Sequence, residues 1–290
     1  MREKKTTIRK QKASRNYTKL KLIVCGTLAL LILLAAVFAP YITPYDPYEQ
    51  DLGRALLAPC REYLLGTGRY GRDMLSRVIM GARTSVFSAV LLVLITTVTG
   101  SIVGTVCGYH GGKPDTVLMR ISDVFLAFPG MVFAIAAASV LKGGLFGAVA
   151  ALALISWPKY ARIVRSQVMA IKNAPYIEDA RLSGSGTIKI IIKHMIPNIA
   201  GPVITTAVLD IGTMMMEIAG LSFLGLGATP PAAEWGSMMS NGRSMLQTSP
   251  WIILAPGFAI FLTVMVFNLL GDTVRDLLDP RQRKKEELPL

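Results

Sequence analysis

Ionisable groups inside an apolar run are the residues best placed to do chemistry in this chain, because charge held away from water is costly. Asp210 and Glu217 stand in the apolar stretch from Ile199 to Leu226, and a separation of seven puts them on one helical face. Met214 lies one turn from Asp210 and three residues from Glu217 on that face. A carboxylate–thioether face could guide a cationic or metal-bearing species, although methionine also serves as core filler. Other chemistry has little to draw on. GSGTIK at 184–189 has the wrong spacing for a G-x-x-x-x-G-K-[ST] phosphate loop, and no Ser or Thr follows its lysine. Cys25, Cys60 and Cys107 are far apart, and His110 and His194 are the only histidines, so no zinc, redox or acid–base constellation can be drawn. His110 sits in the turn YHGGKPD and reads as a solvated residue rather than a ligand. The chain is expected to be no enzyme by itself and to bind no cofactor or metal.

The elements that would position these groups are membrane spans. Hydrophobic residues make up 52% and charged residues 17% of 290, and mean hydropathy is +0.49, which is far from a soluble domain. Net charge is +13, but the basic residues cluster at the edges of apolar runs, where they set topology rather than contact nucleic acid. A basic tail, 1–21, precedes an uncharged run at 22–42, long enough at ~1.5 Å per residue to cross a ~30 Å hydrocarbon core. A cleaved signal peptide is the alternative; the length of the run and the spans that follow favour a retained helix. A polar segment, 43–85, comes next, and five further spans lie in a core at 86–272. They are placed at Val86–Gly108, Thr116–Leu141 with a kink at Pro129-Gly130, Leu145–Val164, Ile199–Leu226 and Pro250–Leu270. Gly100, Gly104 and Gly108, four apart, predict a close helix–helix face. A tail at 273–290 ends the chain. The expected fold is all-α and polytopic, with six transmembrane helices. Basic residues number nine in the N-terminal tail, seven around 159–193 and five in the C-terminal tail, against one each at 142–144 and 228–249. Both termini are therefore expected in the cytoplasm.

Between the fourth and fifth spans, a loop at 168–198 carries the charged stretch YIEDARLSGSGTIKIIIKHMIPN, Tyr176 to Asn198. Pro175 suits a helix start, and Glu178 and Asp179 sit where the positive dipole end favours acids. Gly184 and Gly186 permit a sharp turn. Thr187 is expected as the N-cap of a second short helix whose apolar stripe is Ile188, Ile191, Ile192 and Met195. The expectation is two short helices joined at a glycine corner.

This loop resembles the E-A-A, three residues, G, nine residues, I-x-L-P motif of ABC-importer permeases, with Glu178, Asp179, Ala180, Gly184 and Pro197 at the family spacing. Asp179 replaces an alanine, His194 the isoleucine, and Ile196 the leucine. Three further stretches are similar to the dipeptide, oligopeptide and nickel branch. Gly66, Thr67, Gly71, Arg72, Asp73, Ser76 and Arg77 match its external signature, with Gly68 where the family has aspartate. LSFLGLGATPPAAEWG at 221–236 matches another, and Asn268, Gly271, Asp272, Arg275, Asp276, Asp279, Pro280 and Arg281 a C-terminal one. The external signature is either a packed segment tied by Arg–Asp pairs or a substrate contact.

The resemblance implies a bacterial inner-membrane permease that assembles with a second homologous permease, two ATP-binding subunits and an extracytoplasmic binding protein. ATP would be hydrolysed by the partner subunits, which would dock on Glu178, Asp179, Ala180, Arg181, Leu182, Gly184, Ser185, Gly186 and Pro197. Asp210, Met214 and Glu217 become candidates for the translocation path; alternatively, the carboxylates pair with arginines of the partner permease. LDIGTMM and RLSGSG look most like the nickel C subunit, which implies nickel carried as a chelate; a dipeptide or oligopeptide is the alternative. Distant alternatives are an ion-driven secondary transporter, which would leave the loop unexplained, and a membrane scaffold, against which loss of uptake on deleting the subunit would count.

Overall fold

The computed structural model describes residues 2–141 and 143–278. Asp279, Pro280 and Arg281 of the C-terminal motif, and the rest of the 273–290 tail beyond 278, lie outside the described residues. Among the described residues there are nine α-helices: α1 Arg2–Ile42, α2 Met74–His110, α3 Gly112–Ala127, α4 Gly130–Val140, α5 Gly144–Ile171, α6 Pro175–Leu182, α7 Thr187–Phe223, α8 Trp235–Gly242 and α9 Trp251–Leu278. Among the described residues there is no strand, only an isolated bridge between Thr67 and Asp73. Five segments, Lys19–Ile42, α2, α5, α7 and Trp251–Leu277, are long and apolar enough to cross a bilayer. The bent pair α3–α4 makes a sixth if counted as one span.

Helix boundaries differ from expectation where polar side chains find protein partners. α2 starts at Met74 rather than Val86, well inside the stretch expected to be external. Asp73 caps it, Oδ2 accepting from the Ser76 amide at 2.7 Å and its hydroxyl at 2.6 Å. Arg77, one turn in, donates to the carbonyls of Pro47 (3.0 Å), Pro231 (3.4 Å) and Ala232 (3.5 Å). At Pro129 the expected kink is a break: α3 and α4 meet at 97°. Phe128 is extended, as the residue before a proline prefers.

Helix direction follows from glycine contacts. A Cβ on Gly100 would lie 2.6 Å from the Trp157 carbonyl, on Gly104 2.8 Å from Val164 Cβ, and on Gly108 2.8 Å from Val168 Cβ. The partners advance together, so α2 and α5 run parallel with backbones in close approach, as the small-residue spacing predicts. The chain leaving α2 must return across the bundle before α5 begins, and α3–α4 is the segment that does so. Neither piece is long enough alone, at about 24 and 16 Å, to cover the ~30 Å core. By contrast, Gly271 approaches Leu209 while Gly212 approaches Asn268 and Val264, so α7 and α9 are antiparallel. These directions bring the 109–112 turn, α6 and the end of α9 to one side of the bundle. The 43–73 segment, α8 and the start of α9 gather at the other.

The main core joins Val86, Ala89 and Leu92 of α2, Leu152 of α5, Met214, Met215 and Ile218 of α7, and Trp235 of α8. A second core, Tyr160, Val164 and Val168 with Ile177, Ile190, Met195 and Ile199, seats α6 and the start of α7.

Candidate coupling loop and membrane ion pairs

α6 is a helix closed at both ends by local chemistry. Ala174 is extended, Pro175 occupies the first turn where no intrahelical donor is needed, and Glu178 faces the positive dipole end. At its C-terminus Gly184 adopts φ +79°, Ser185 N donates to Ala180 O and Gly184 N to Arg181 O, both at 3.1 Å. That pair of bonds is a Schellman closure, and the left-handed position requires glycine. Gly186 is different. At φ −67° and ψ 158° it is ordinary extended backbone, so the corner needs one glycine, not two.

Nor is the second helix of the loop separate: it runs unbroken into the fifth span as α7. Thr187 is its first residue rather than its cap; the cap position is Gly186, with no side-chain bond. Residues Ile191–Met195 form a π-helical turn in which Ile196 N bonds back to Ile191 O. Pro197 supplies the cause, lacking an N–H and crowding the carbonyl four residues before it. The wider turn shifts the register. Ile190 and Met195, five apart, are buried at 1% and 0%; of the expected stripe Met195 is buried and Ile191 half-buried, whereas Ile188 and Ile192 are exposed at 73% and 61%.

The residues expected to dock a partner are mostly on the surface. Glu178, Asp179, Arg181, Leu182, Gly184 and Gly186 are exposed on α6 and its corner, while Ala180 and Ser185 are half-buried. Ile177, fully buried, anchors α6 beneath them. Pro197 is exposed but sits apart, on α7 beyond the π turn.

Deeper in the bundle, the three candidate path residues share the α7 face but not an environment. Asp210 is 3% exposed; Lys159 Nζ donates to its Oδ1 at 2.6 Å and the Tyr160 hydroxyl to its Oδ2 at 2.9 Å, both from α5. Its partner is therefore within the chain. Met214 is buried in the main core. Glu217 is half-buried and has no hydrogen bond or ion pair among the described residues. The basic patch Lys159, Arg162 and Arg165 proves to be a ladder: Arg162 pairs with Asp123, and Arg165 grips Asp115 through two bonds of 2.5 and 2.6 Å. Basic residues three apart on α5 meet acids on α3 and α7, a signal that the bias in charge alone does not expose.

On the opposite side, the external signature is a structural knot. The Thr67 hydroxyl donates to Arg54 O at 2.5 Å and accepts from Leu57 N at 2.8 Å, while Trp251 Nε1 donates to Thr67 O at 3.1 Å. Arg72 Nε donates to Tyr48 O at 3.2 Å. Carbonyl acceptors and the Asp73 cap, rather than the expected Arg–Asp pairs, hold the signature residues. Glu234 of the 221–236 signature is fully buried and caps α8, accepting from Gly236 N at 2.8 Å and Ser237 N at 2.7 Å. Trp235 Nε1 then donates to Val78 O at 2.9 Å, tying α8 to α2.

Comparison with known proteins agrees with this architecture. Residues 100–284 match the binding-protein-dependent transport system inner membrane component family, and residues 19–59 match the N-terminal transmembrane domain of oligopeptide transport permease C. The dipeptide transport system permease protein DppC of Haemophilus influenzae is 38% identical over 261 residues, 88% of each chain. The nickel transport system permease protein NikC of Escherichia coli K12 is 39% identical over 268 residues, 92% of this chain and 95% of that one. Among solved structures, the inward-facing MetNI methionine ABC transporter superposes with a TM-score of 0.57 at 17% identity, covering 71% of this chain and 97% of that one. The chain belongs to the family of inner-membrane components of binding-protein-dependent transport systems. It is a multi-pass permease subunit of an ABC importer, with ATP hydrolysis in separate subunits.

Proposed function

We propose that this chain forms half of the translocation path for nickel carried as a chelate. The observation that carries the reading is the closure of Asp210 by its own Lys159 and Tyr160. That face offers a neutralised polar patch rather than a bare cation site, which suits a metal whose charge is already wrapped by its chelator. Glu217, half-buried and unpaired among the described residues, is the α7 carboxylate left to meet cargo. The likeness of LDIGTMM and RLSGSG to nickel permeases supports the same cargo. A dipeptide is the second reading, favoured by the DppC relative.

In the assembly this chain pairs with a second homologous permease, receives cargo from an extracytoplasmic binding protein, and docks one of two ATP-binding subunits on α6. The α6 side of the bundle faces the cytoplasm of a bacterial cell. ATP binding closes the ATPase pair and draws the docked loops together. Because Ile177 seats α6 against α5 and α7, that motion is passed to the spans as a rigid-element switch.

Uptake of radioactive nickel, with and without excess unlabelled dipeptide, in cells with and without this subunit tests the cargo. Subunit-dependent nickel uptake that ignores the dipeptide supports nickel. Loss of dipeptide uptake alone moves the cargo to a peptide.

A further inference from the structure

On the side opposite α6, a small open-mouthed cleft of about 110 Å³ lies between the 68–77 segment, Pro230, α8 and the start of α9. Three arginines, Arg69, Arg72 and Arg77, line it, and no acid does. Asp73, the acid nearest in sequence, is turned away to cap α2 through Ser76.

Two of these arginines are more than nine-tenths buried as residues, Arg72 at 7% and Arg77 at 8% exposed. Arg77 is occupied by three backbone carbonyls. Arg72 is not. Its Nε donates to Tyr48 O, its guanidinium carbon lies 5.4 Å from the Tyr70 ring centroid, and Nη1 and Nη2 have no acceptor among the described residues. An arginine buried along its length whose unpaired fork opens on the cleft, beside a second arginine and with no acid in the lining, suits a planar anion. Carboxylate matches that fork bidentately. Met74, Met238, Met245 and Ile252 supply apolar walls for a small organic body behind the anionic group.

We propose that this cleft is a binding site for the carboxylate of a small organic molecule, with Arg72 as the bidentate anchor. The proposal deepens the cargo reading above and rests on it for biological meaning: nickel chelated by carboxylates and the C-terminus of a dipeptide both present such a group.

The test is equilibrium binding to the full chain assembled with its partner subunits in lipid nanodiscs, using radiolabelled dialanine, dialaninamide and nickel citrate. Dialanine or nickel citrate is expected to bind, and dialaninamide, which lacks the carboxylate, at least about tenfold more weakly, the scale of a lost charge-assisted hydrogen bond. Arg72→Gln is expected to weaken carboxylate binding by a similar factor. Because that change also alters the Tyr48 contact, Asn241→Asp is the second variant: it adds an acid to an exposed position on the cleft wall and leaves every arginine bond in place. It too is expected to exclude the carboxylate. Equal affinity for dialanine and dialaninamide, no binding of either carboxylate probe, or wild-type binding by both variants overturns the site. Uptake in cells is read separately, so carboxylate binding that persists while uptake ignores the subunit overturns the cargo reading and leaves the site.

Discussion

Asp210 on α7 and Lys159 on α5 are joined at 2.6 Å across 51 residues of sequence, and the two ends are unequally buried. The aspartate side chain is 4% exposed and the lysine 48%. Removing the lysine leaves a buried carboxylate with only the Tyr160 hydroxyl, whereas removing the acid leaves an amine that still reaches its surroundings. Lys159→Met is therefore expected to cost about 2–3 kcal/mol, discounted from a fully buried pair because the lysine is half exposed. Asp210→Asn is expected to cost under about 1 kcal/mol. Thermal unfolding of both variants in nanodiscs checks this; equal losses would falsify the asymmetry.

Glu234 poses the opposite case, a buried carboxylate with no basic partner among the described residues. Its charge is met by the first amides of α8, Gly236 and Ser237, and by the dipole end they form. Glu234→Ala is expected to lose about 2–3 kcal/mol, since it strands two buried donors and leaves a void. Glu234→Gln keeps one acceptor oxygen and is expected to lose about half as much. Denaturation midpoints of the two variants give the order; a glutamine variant as damaged as the alanine one would mean that charge, not capping, dominates.

These two residues mark the limit of what the sequence made legible. Spans could be read because some twenty apolar residues cannot be anything else in water, and α2–α5 packing because glycines four apart leave a visible period. Ion-pair partners such as Lys159 and Asp210 lie on different spans, and no local pattern couples them. The capping roles of Glu234 and Asp73 were not visible in their signatures, since capping depends on backbone geometry. The coupling-loop stripe failed for a local reason. An α-helical period of 3.6 was applied across Ile191–Met195, where Pro197 forces a π turn: Met195 and, in part, Ile191 are buried as expected, but Ile190 replaces Ile188 and Ile192 on the buried side. The arginines of the 65–77 signature were seen, but their carbonyl partners come from segments around 47 and 231.

The α2–α5 interface gives a packing test with a built-in control. Gly104→Ala puts a methyl 2.8 Å from Val164 Cβ, and neither backbone can withdraw without disturbing the ladder on α5. A loss of about 1–3 kcal/mol is expected. Gly26→Ala on α1 meets nothing within 4 Å and is expected to be neutral or slightly stabilising. Thermal midpoints measured side by side decide it; matching midpoints would remove the close-approach role of Gly104.

The corner after α6 separates two glycines that the sequence presents as equals. Gly184→Ala forces a side chain into the left-handed region and is expected to cost about 1–2 kcal/mol locally. Gly186→Ala, in extended backbone with open space at its Cβ, is expected to be silent. Hydrogen exchange across 175–190 reports the difference, and equal protection in both variants would contradict the Schellman closure.

Docking at α6 is tested most directly at Glu178, which is exposed and makes no side-chain hydrogen bond or ion pair among the described residues. Reversing its charge should disturb the helix by only a few tenths of a kcal/mol, through the dipole. Any larger consequence must then come from a surface that meets α6. Glu178→Lys is expected to insert and unfold like the wild type yet to lose co-purifying ATP-binding subunit and transport. Normal co-purification and transport would leave α6 as an ordinary connecting helix, and the route from ATP hydrolysis to the spans would have to be sought at the exposed Ile188 and Ile192 of α7 instead.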